Sequence, residues 1–314
     1  MTTRRLETRH GTIEFPTFMP VTTFGAKYPL DDLVRPYLRR FAQCVMVSYH
    51  YAKQMKRHER PNLPLFIDSG GFASLFEGSE IVDEGGYASI RTKEGDVISP
   101  PDVLAFQEEH ADIGATLDFV IPPGMDKAEA RYRQDLSFKN AAWALKNRKR
   151  TDLRLFASIQ AWDSDSAANA MTKLADSPFD GFALGGMVPR VRNPDTILDI
   201  VRAIRQLEPN KPLHVFGAGH PSLLERLFVG GVDSTDSSNF VRAAVDRNYF
   251  DRSVGSRPEI VDPYNVTGCT CPACNVFKTG FFQLRGESNA FGLALHNLAT
   301  LSRAATNACA AKVY

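Results

Sequence analysis

Short β-type runs alternate with helical stretches along most of this chain, and that alternation limits the fold more than any other feature. The runs lie at residues 18–21, 44–48, 65–68, 116–121, 155–160, 181–185, 213–217 and 232–236. Between them, residues 101–113, 128–149, 167–175, 196–207 and 221–228 carry helical patterning. Residues 196–207 show the period most clearly, with Ile197, Ile200, Val201 and Ile204 on one face. Eight strands alternating with helices predict the α/β class and, within it, a (β/α)8 TIM barrel. Ahead of the first strand, residues 4–15 read as a β-hairpin turning at His10-Gly11. The chain therefore divides into a hairpin over 1–17, a barrel over 18–250 and a C-terminal segment over 251–314. Irregular stretches at 72–97 and 254–262 read as insertions or lids.

The C-terminal segment carries a second constraint. Gly268-Cys269-Thr270-Cys271-Pro272-Ala273-Cys274 places three thiols within six positions, and His296 follows in an apolar, helix-like run. Three thiolates and one imidazole suit a closed tetrahedral zinc site. A disulfide or a set of free thiols is the alternative. The lack of a secretory leader points instead to a reducing cytoplasmic setting, where thiols stay reduced. Four protein ligands leave no open position, so the zinc is expected to be structural, in a zinc-binding subdomain on the barrel's flank, and the chemistry to lie elsewhere.

Composition narrows the function little. Of 314 residues, 43% are hydrophobic and 23% charged, which suits a globular protein with ample core. No apolar run approaches the roughly 20 residues that span a bilayer. A net charge of +1 neither suggests nor excludes nucleic acid. Lys146-Asn147-Arg148-Lys149-Arg150, with Arg131, Arg133, Lys139 and Arg154, is the strongest basic segment. It reads either as a solvated helix end or as a phosphate contact.

A barrel of this type places its chemistry at the C-terminal ends of its strands. Those ends carry Asp68, Asp118, Gln160, Gly185-Gly186, Gly217 and Asp236. Any single aspartate could be a helix N-cap; several converging on one face point to a site. Asp68-Ser69-Gly70-Gly71-Phe72 ends a strand with a carboxylate and then bends on two glycines, which lets backbone amides approach a ligand. Two carboxylates across a barrel mouth can cleave a glycosidic bond, one attacking the anomeric carbon and the other managing protons. Asp118 can accept from the N–H groups of a guanine edge. Gln160 and the amides of Gly185-Gly186 can donate to its carbonyl.

These motifs resemble those of the tRNA-guanine transglycosylase superfamily. Phe18-Met19-Pro20-Val21 resembles the first strand of that family, Ser48-Tyr49-His50 its N-T-Y-H-L segment, and Asp68 to Phe72 its D-S-G-G-F motif. Phe182 to Gly186 resembles its double-glycine strand. His214-Val215-Phe216-Gly217-Ala218-Gly219-His220-Pro221 is similar to the archaeal branch, Asp233 to Asp236 to the D-x-x-D strand, and Cys269, Cys271, Cys274 and His296 to the zinc set. The resemblance implies that Asp236 is the nucleophile and Asp68 the general acid/base. It implies that Ser69, Gly70, Asp118, Gln160, Gly185 and Gly186 hold the base, that Phe72 either stacks on it or belongs to the lid core, and that no nucleotide cofactor is used.

Departures from the bacterial pattern sharpen the expectation. Met187-Val188-Pro189-Arg190 stands in place of L-A-V-G-E, so the glutamate that helps bind an aminomethyl substrate is missing. Ser238-Asn239-Phe240-Val241-Arg242-Ala243 replaces T-R-N-A-R. With no long RNA-binding extension after Tyr314, the chain is most similar to the DpdA branch, which inserts 7-deazaguanines into DNA. The expected substrates are thus DNA, favoured over tRNA, and a 7-cyano- or 7-formamidino-7-deazaguanine. A homodimer and a helper protein for duplex opening are also implied. A tRNA enzyme of queuosine or archaeosine biosynthesis, a non-catalytic partner subunit and a small-glycoside hydrolase are the rivals.

Overall fold

A computed structural model describes residues 4–23, 28–53, 55–56, 59–250, 269–275 and 287–311. The lid expected over 254–262 and Gly268 lie outside the described residues, as does much of 251–314.

Strands β1 (Arg5–Thr8) and β2 (Gly11–Glu14) form the expected antiparallel hairpin. Eight parallel strands then build one sheet: β3 (Thr17–Pro20), β4 (Val45–Val47), β5 (Leu65–Ile67), β9 (Ile113–Ala115), β10 (Arg154–Gln160), β11 (Gly181–Gly185), β12 (Leu213–Val215) and β13 (Ser234–Ser237). Their order is β3-β13-β12-β11-β10-β9-β5-β4. A single parallel bridge, Val21 to Met46, joins the two ends of this sheet, and Thr22 N–H donates to the Met46 carbonyl at 2.9 Å. The strands are buried on both faces, as parallel strands under a helical layer must be.

The expected fourth strand is misplaced by three residues. Residues 116–121 lie beyond the end of β9 and form no ladder. Thr116 N–H still reaches the Phe156 carbonyl at 3.1 Å, but three later amides bond side chains: Phe119 N–H to Ser137 Oγ at 3.1 Å, Val120 N–H to Ser74 Oγ at 3.2 Å and Ile121 N–H to Gln160 Oε1 at 3.1 Å. The buried amides of 119–121 are thereby satisfied without a strand partner.

Two short helices, α1 (Pro29–Val34) and α2 (Tyr49–Ala52), follow β3 and β4, and helices α3 (Pro100–His110), α4 (Lys127–Asn147), α5 (Ser164–Leu174), α6 (Pro194–Leu207) and α7 (Pro221–Val229) cover the barrel. Side-chain caps set three of their starts: Ser99 accepts from Asp102 N–H, Asp126 from Ala128 and Glu129 N–H, and Asp163 closes a capping box with Ser166. In α6 the apolar stripe Ile197, Ile200, Val201 and Ile204 is fully buried, as its period predicts. The stretch 72–97 is an excursion between β5 and α3, containing a three-stranded antiparallel sheet, β6 (Glu80–Asp83), β7 (Ala88–Arg91) and β8 (Val97–Ile98). Asn140 of α4 anchors it, bonding the amide and the carbonyl of Ala88. The last helix, Glu287–Ala311, packs on α7, on α8 (Asn239–Val245) and on β3, in the position of a barrel helix.

The two ends of the barrel are built differently. At the N-terminal end, the hairpin residues Leu6, Ile13 and Phe15 pack into one apolar cluster with the barrel residues Met19, Met46, Phe66 and Phe156. Three aspartates, each immediately before a strand, tie this floor together. Asp112 accepts from Leu65 N–H (2.8 Å), Asp180 from Leu155 N–H (3.0 Å) and Asp233 from Leu213 N–H (2.8 Å). Each also meets arginine: Arg60 on Asp112, Arg148 and Arg154 on Asp180, Arg4 and Arg205 on Asp233.

Candidate active site and metal centre

The opposite end of the barrel is open. Asp68 directly follows β5, and its Oδ1 accepts from Tyr49 N–H (2.9 Å) and Gly70 N–H (2.8 Å). Gly70 makes that turn in the left-handed region, φ 74°, which favours glycine. Burial pushes the Asp68 carboxyl up to about 6; the charge of Asp236 acts in the same direction, and the two amide donors oppose it.

Asp118 and Gln160 sit beside it. Ser69 Oγ donates to Asp118 Oδ1 at 3.0 Å, and Gln160 Nε2 donates to Asp118 Oδ2 at 2.5 Å. Burial raises the Asp118 carboxyl above the ordinary carboxylate range, while these two bonds pull it back. Gly185 is required here by space: a Cβ would stand 2.1 Å from Gln160 Nε2 and 2.9 Å from Asp118 Oδ2. Arg190, largely buried, holds the next turn by donating to the Gly186 carbonyl (2.5 Å) and the Ile121 carbonyl (2.9 Å).

Asp236, on β13, is 7% exposed. Its Oδ1 accepts from Gly217 N–H at 2.8 Å and lies 3.1 Å from His214 Nε2. His214 is fully buried on the neighbouring strand, with Nδ1 2.9 Å from Ser234 Oγ. The alternating pattern of β12 and β13 brings these groups together, because His214 pairs with Ser234 in the parallel register.

One cavity of about 600 Å³ gathers all nine residues singled out from the sequence: Asp68, Ser69, Gly70, Phe72, Asp118, Gln160, Gly185, Gly186 and Asp236. Phe72 is 55% exposed at its rim, in edge contact with Phe76, so it is not part of a lid core. Three contributors have no role in the sequence reading: His214, Ser234 and Arg190. His214 lies on the strand beside that of Asp236, but only the register of the two strands, not the sequence, brings the pair together. Arg190 carried none.

The basic segment 146–150 does not reach this mouth. It joins the C-terminus of α4 to the start of β10, at the barrel floor. There Arg148 pairs with Asp180 at 2.8 Å and Arg150 with Asp152 at 2.9 Å. Arg148 and Arg150 are thus engaged in ion pairs on the floor, away from the mouth.

The metal cluster lies apart from the mouth. Cys269, Cys271, Cys274 and His296 bring four ligand atoms within 4.8 Å of one another. The three sulfurs stand 3.6, 3.4 and 3.3 Å from His296 Nδ1. A tetrahedron with ordinary zinc–sulfur and zinc–nitrogen bonds has S···N edges of about 3.6 Å, so the donor set fits that ion. His296 Nε2 donates to the Phe250 carbonyl at 2.9 Å, which directs the Nδ1 lone pair to the sulfurs. The Tyr249 ring stacks on the imidazole, centroids 3.8 Å apart.

Fold and site together define a (β/α)8 barrel with convergent carboxylates at its mouth and a Cys3His cluster, fit to hold a metal ion, that includes His296 of its last helix. The sequence pattern of the queuine tRNA-ribosyltransferase family matches residues 2–310, and the chain belongs to that family. It is similar to tRNA-guanine(15) transglycosylases of Pyrococcus abyssi, 28% identical over 305 residues, and Methanothermobacter thermautotrophicus, 25% identical over 303. A third, from Methanosarcina barkeri, is 26% identical over 305 residues. These alignments cover 94%, 93% and 94% of this chain, but 49%, 44% and 59% of the relatives. The chain thus spans about half the length of the curated relatives it matches.

Proposed function

We propose that this chain is a guanine transglycosylase, exchanging a guanine base in a nucleic acid for a 7-deazaguanine through a covalent intermediate on Asp236. The convergence of Asp236, Asp68, Asp118 and Gln160 in one cavity carries this reading. A carboxylate oxygen of Asp236 bonds C1′ as the C1′–N9 bond breaks. The electron pair leaves with guanine, and Asp68 supplies its proton. The incoming base then gives its N9 proton to Asp68 and attacks C1′, and the C1′–oxygen bond returns its electrons to Asp236. A carboxyl that titrates near 6 suits both directions of that transfer.

Asp118 accepts from the N1–H and N2–H edge of the base, and Gln160 donates to its carbonyl. Adenine would leave these buried groups unpaired, which supplies the selectivity. The cysteine–histidine cluster holds zinc in a structural role, fixing residues 269–275 to the last helix and to Phe250.

DNA is the polynucleotide we favour, on the departures at residues 187–190 and 238–243. A duplex target would have to leave the base stack, which calls for a strand-opening partner. The second reading is tRNA, favoured by the activity named for the archaeal relatives. Purified protein incubated with 7-cyano-7-deazaguanine and either tRNA or double-stranded DNA, then digested for nucleoside mass spectrometry, separates them. Modified deoxynucleoside alone supports DNA; modified ribonucleoside alone supports tRNA; product from neither substrate counts against base exchange.

A further inference from the structure

Both groups that reach the Asp236 carboxylate reach the same oxygen. Gly217 N–H and His214 Nε2 converge on Oδ1, at 2.8 and 3.1 Å. Among the described residues no donor reaches Oδ2. The position of the imidazole is over-determined: its ring packs edge-on against Phe66 and Phe216, with centroids 5.0 and 4.8 Å away. Its tautomer follows from its neighbours. A neutral imidazole carries one N–H. With that hydrogen on Nδ1, the bare Nε2 lone pair would face a carboxylate oxygen, acceptor against acceptor. With the hydrogen on Nε2, the Ser234 hydroxyl donates to Nδ1 at 2.9 Å and every group is satisfied.

We propose that His214 is a positioning residue that pins Oδ1 of Asp236 and so makes Oδ2 the oxygen that bonds C1′. The inference rests on the base-exchange reading above. Two donors fix the rotation of the carboxylate about its Cβ–Cγ bond and leave Oδ2 as the unengaged oxygen of a residue that lines the cavity. No reorganisation is then needed at the moment of attack. When the Oδ2–C1′ bond forms, Oδ1 becomes the ester carbonyl and keeps both donors. When the incoming base attacks, the C1′–Oδ2 electrons return to the carboxylate, and the same donors stabilise the departing anion. Ser234 acts one step further out, by holding the hydrogen on Nε2.

His214→Phe tests this, because it keeps an aromatic ring against Phe66 and Phe216 while removing the donor. Single-turnover formation of the covalent protein–nucleic acid adduct, trapped by denaturation and resolved on gels, is the readout. At saturating nucleic acid the rate should fall about 10–100-fold, the scale of one charge-assisted hydrogen bond. KM for the nucleic acid should stay within about threefold, as expected for an interaction used in the transition state. His214→Gln, which returns an amide donor near the Nε2 position, should recover most of the loss. A folded His214→Phe protein with the parent rate overturns the inference, as does a His214→Gln protein no better than His214→Phe. Should His214→Phe fail to fold, Ser234→Ala decides: slower adduct formation at unchanged KM is expected, and the parent rate overturns the inference. Asp236→Asn runs alongside. Adduct formation by that variant would sink the base-exchange reading itself. Its inactivity together with a parent-rate His214→Phe would sink only the role of His214.

Discussion

The two ends of the barrel use aspartate in opposite ways. On the floor, Asp112, Asp180 and Asp233 each meet at least one arginine and a strand amide. At the mouth, the partners of Asp68, Asp118 and Asp236 among the described residues are amides, hydroxyls, a carboxamide and an imidazole. An arginine partner commits a carboxylate to staying an anion in one place. Neutral donors hold the mouth carboxylates in position while leaving them able to bond carbon or carry a proton. On the proposed function, the same residue type is structural at one end of the strands and chemical at the other.

Removing one carboxylate from each end tests that division, and the largest effect belongs to the mouth. On the base-exchange reading, Asp236→Asn should lower base exchange by at least about 10⁴-fold, the scale for loss of a nucleophile, with thermal unfolding unchanged. Nucleoside mass spectrometry and a melting curve on one preparation check both halves. The metal cluster belongs with the floor: Cys271→Ser should release zinc and unfold the last helix, because a structural metal contributes directly to folding. Metal analysis and far-ultraviolet circular dichroism read this out, and a zinc-free protein of full stability would contradict it. Asp112→Ala should cost about 3–5 kcal/mol of stability, since it strands the partly buried Arg60. Exchange per folded molecule should stay at the parent level, as urea unfolding and an assay on the folded fraction would report.

Two smaller effects sharpen the picture of the mouth. Asp118→Ala should erode discrimination of guanine from adenine by at least about tenfold, the value of a buried hydrogen-bond pair. Equal discrimination in a competition assay would remove Asp118 from base reading. Asp68→Asn should shift stability in a pH-dependent way. The folded-state pKa of Asp68 is raised to about 6, so the folded protein binds more protons than the unfolded chain between about 4 and 6. The parent therefore loses stability as pH rises through that window. Asp68→Asn removes this loss and should melt higher than the parent at pH 7.5, but not at pH 4. Equal melting differences at the two pH values would refute the raised pKa.

Much of the barrel was legible because strand and helix periods differ and because barrel helices carry strong apolar stripes, as Ile197 to Ile204 do. The fourth strand was misread for a physical reason. Leu117, Phe119 and Ile121 are as apolar as a strand, but their neighbouring amides bond Ser137, Ser74 and Gln160. The true strand, Ile113–Ala115, is short and contains a glycine. The candidate metal ligands stood out because three of them lie within six positions of the chain. The strand-end carboxylates were legible once a barrel was assumed. The floor network was not, because Arg4 lies 229 positions from Asp233 and Arg60 lies 52 from Asp112. No local pattern encodes such a pair. His214 was hidden for a related reason: a histidine in a strand reveals its partner only when the register of the adjacent strand is known.

The seam between β3 and β4 bears on how the chain is made. β3 gains one bridge from β4, its neighbour in sequence, but four paired residues from β13, made roughly 200 residues later. At ordinary synthesis speeds the ribosome takes about 10–40 s to deliver that partner. Throughout that interval Phe18 and Met19 wait on a strand whose main ladder does not yet exist. The first strand of the barrel is therefore among the last to be locked, and vectorial synthesis leaves its edge open to other chains until β13 emerges.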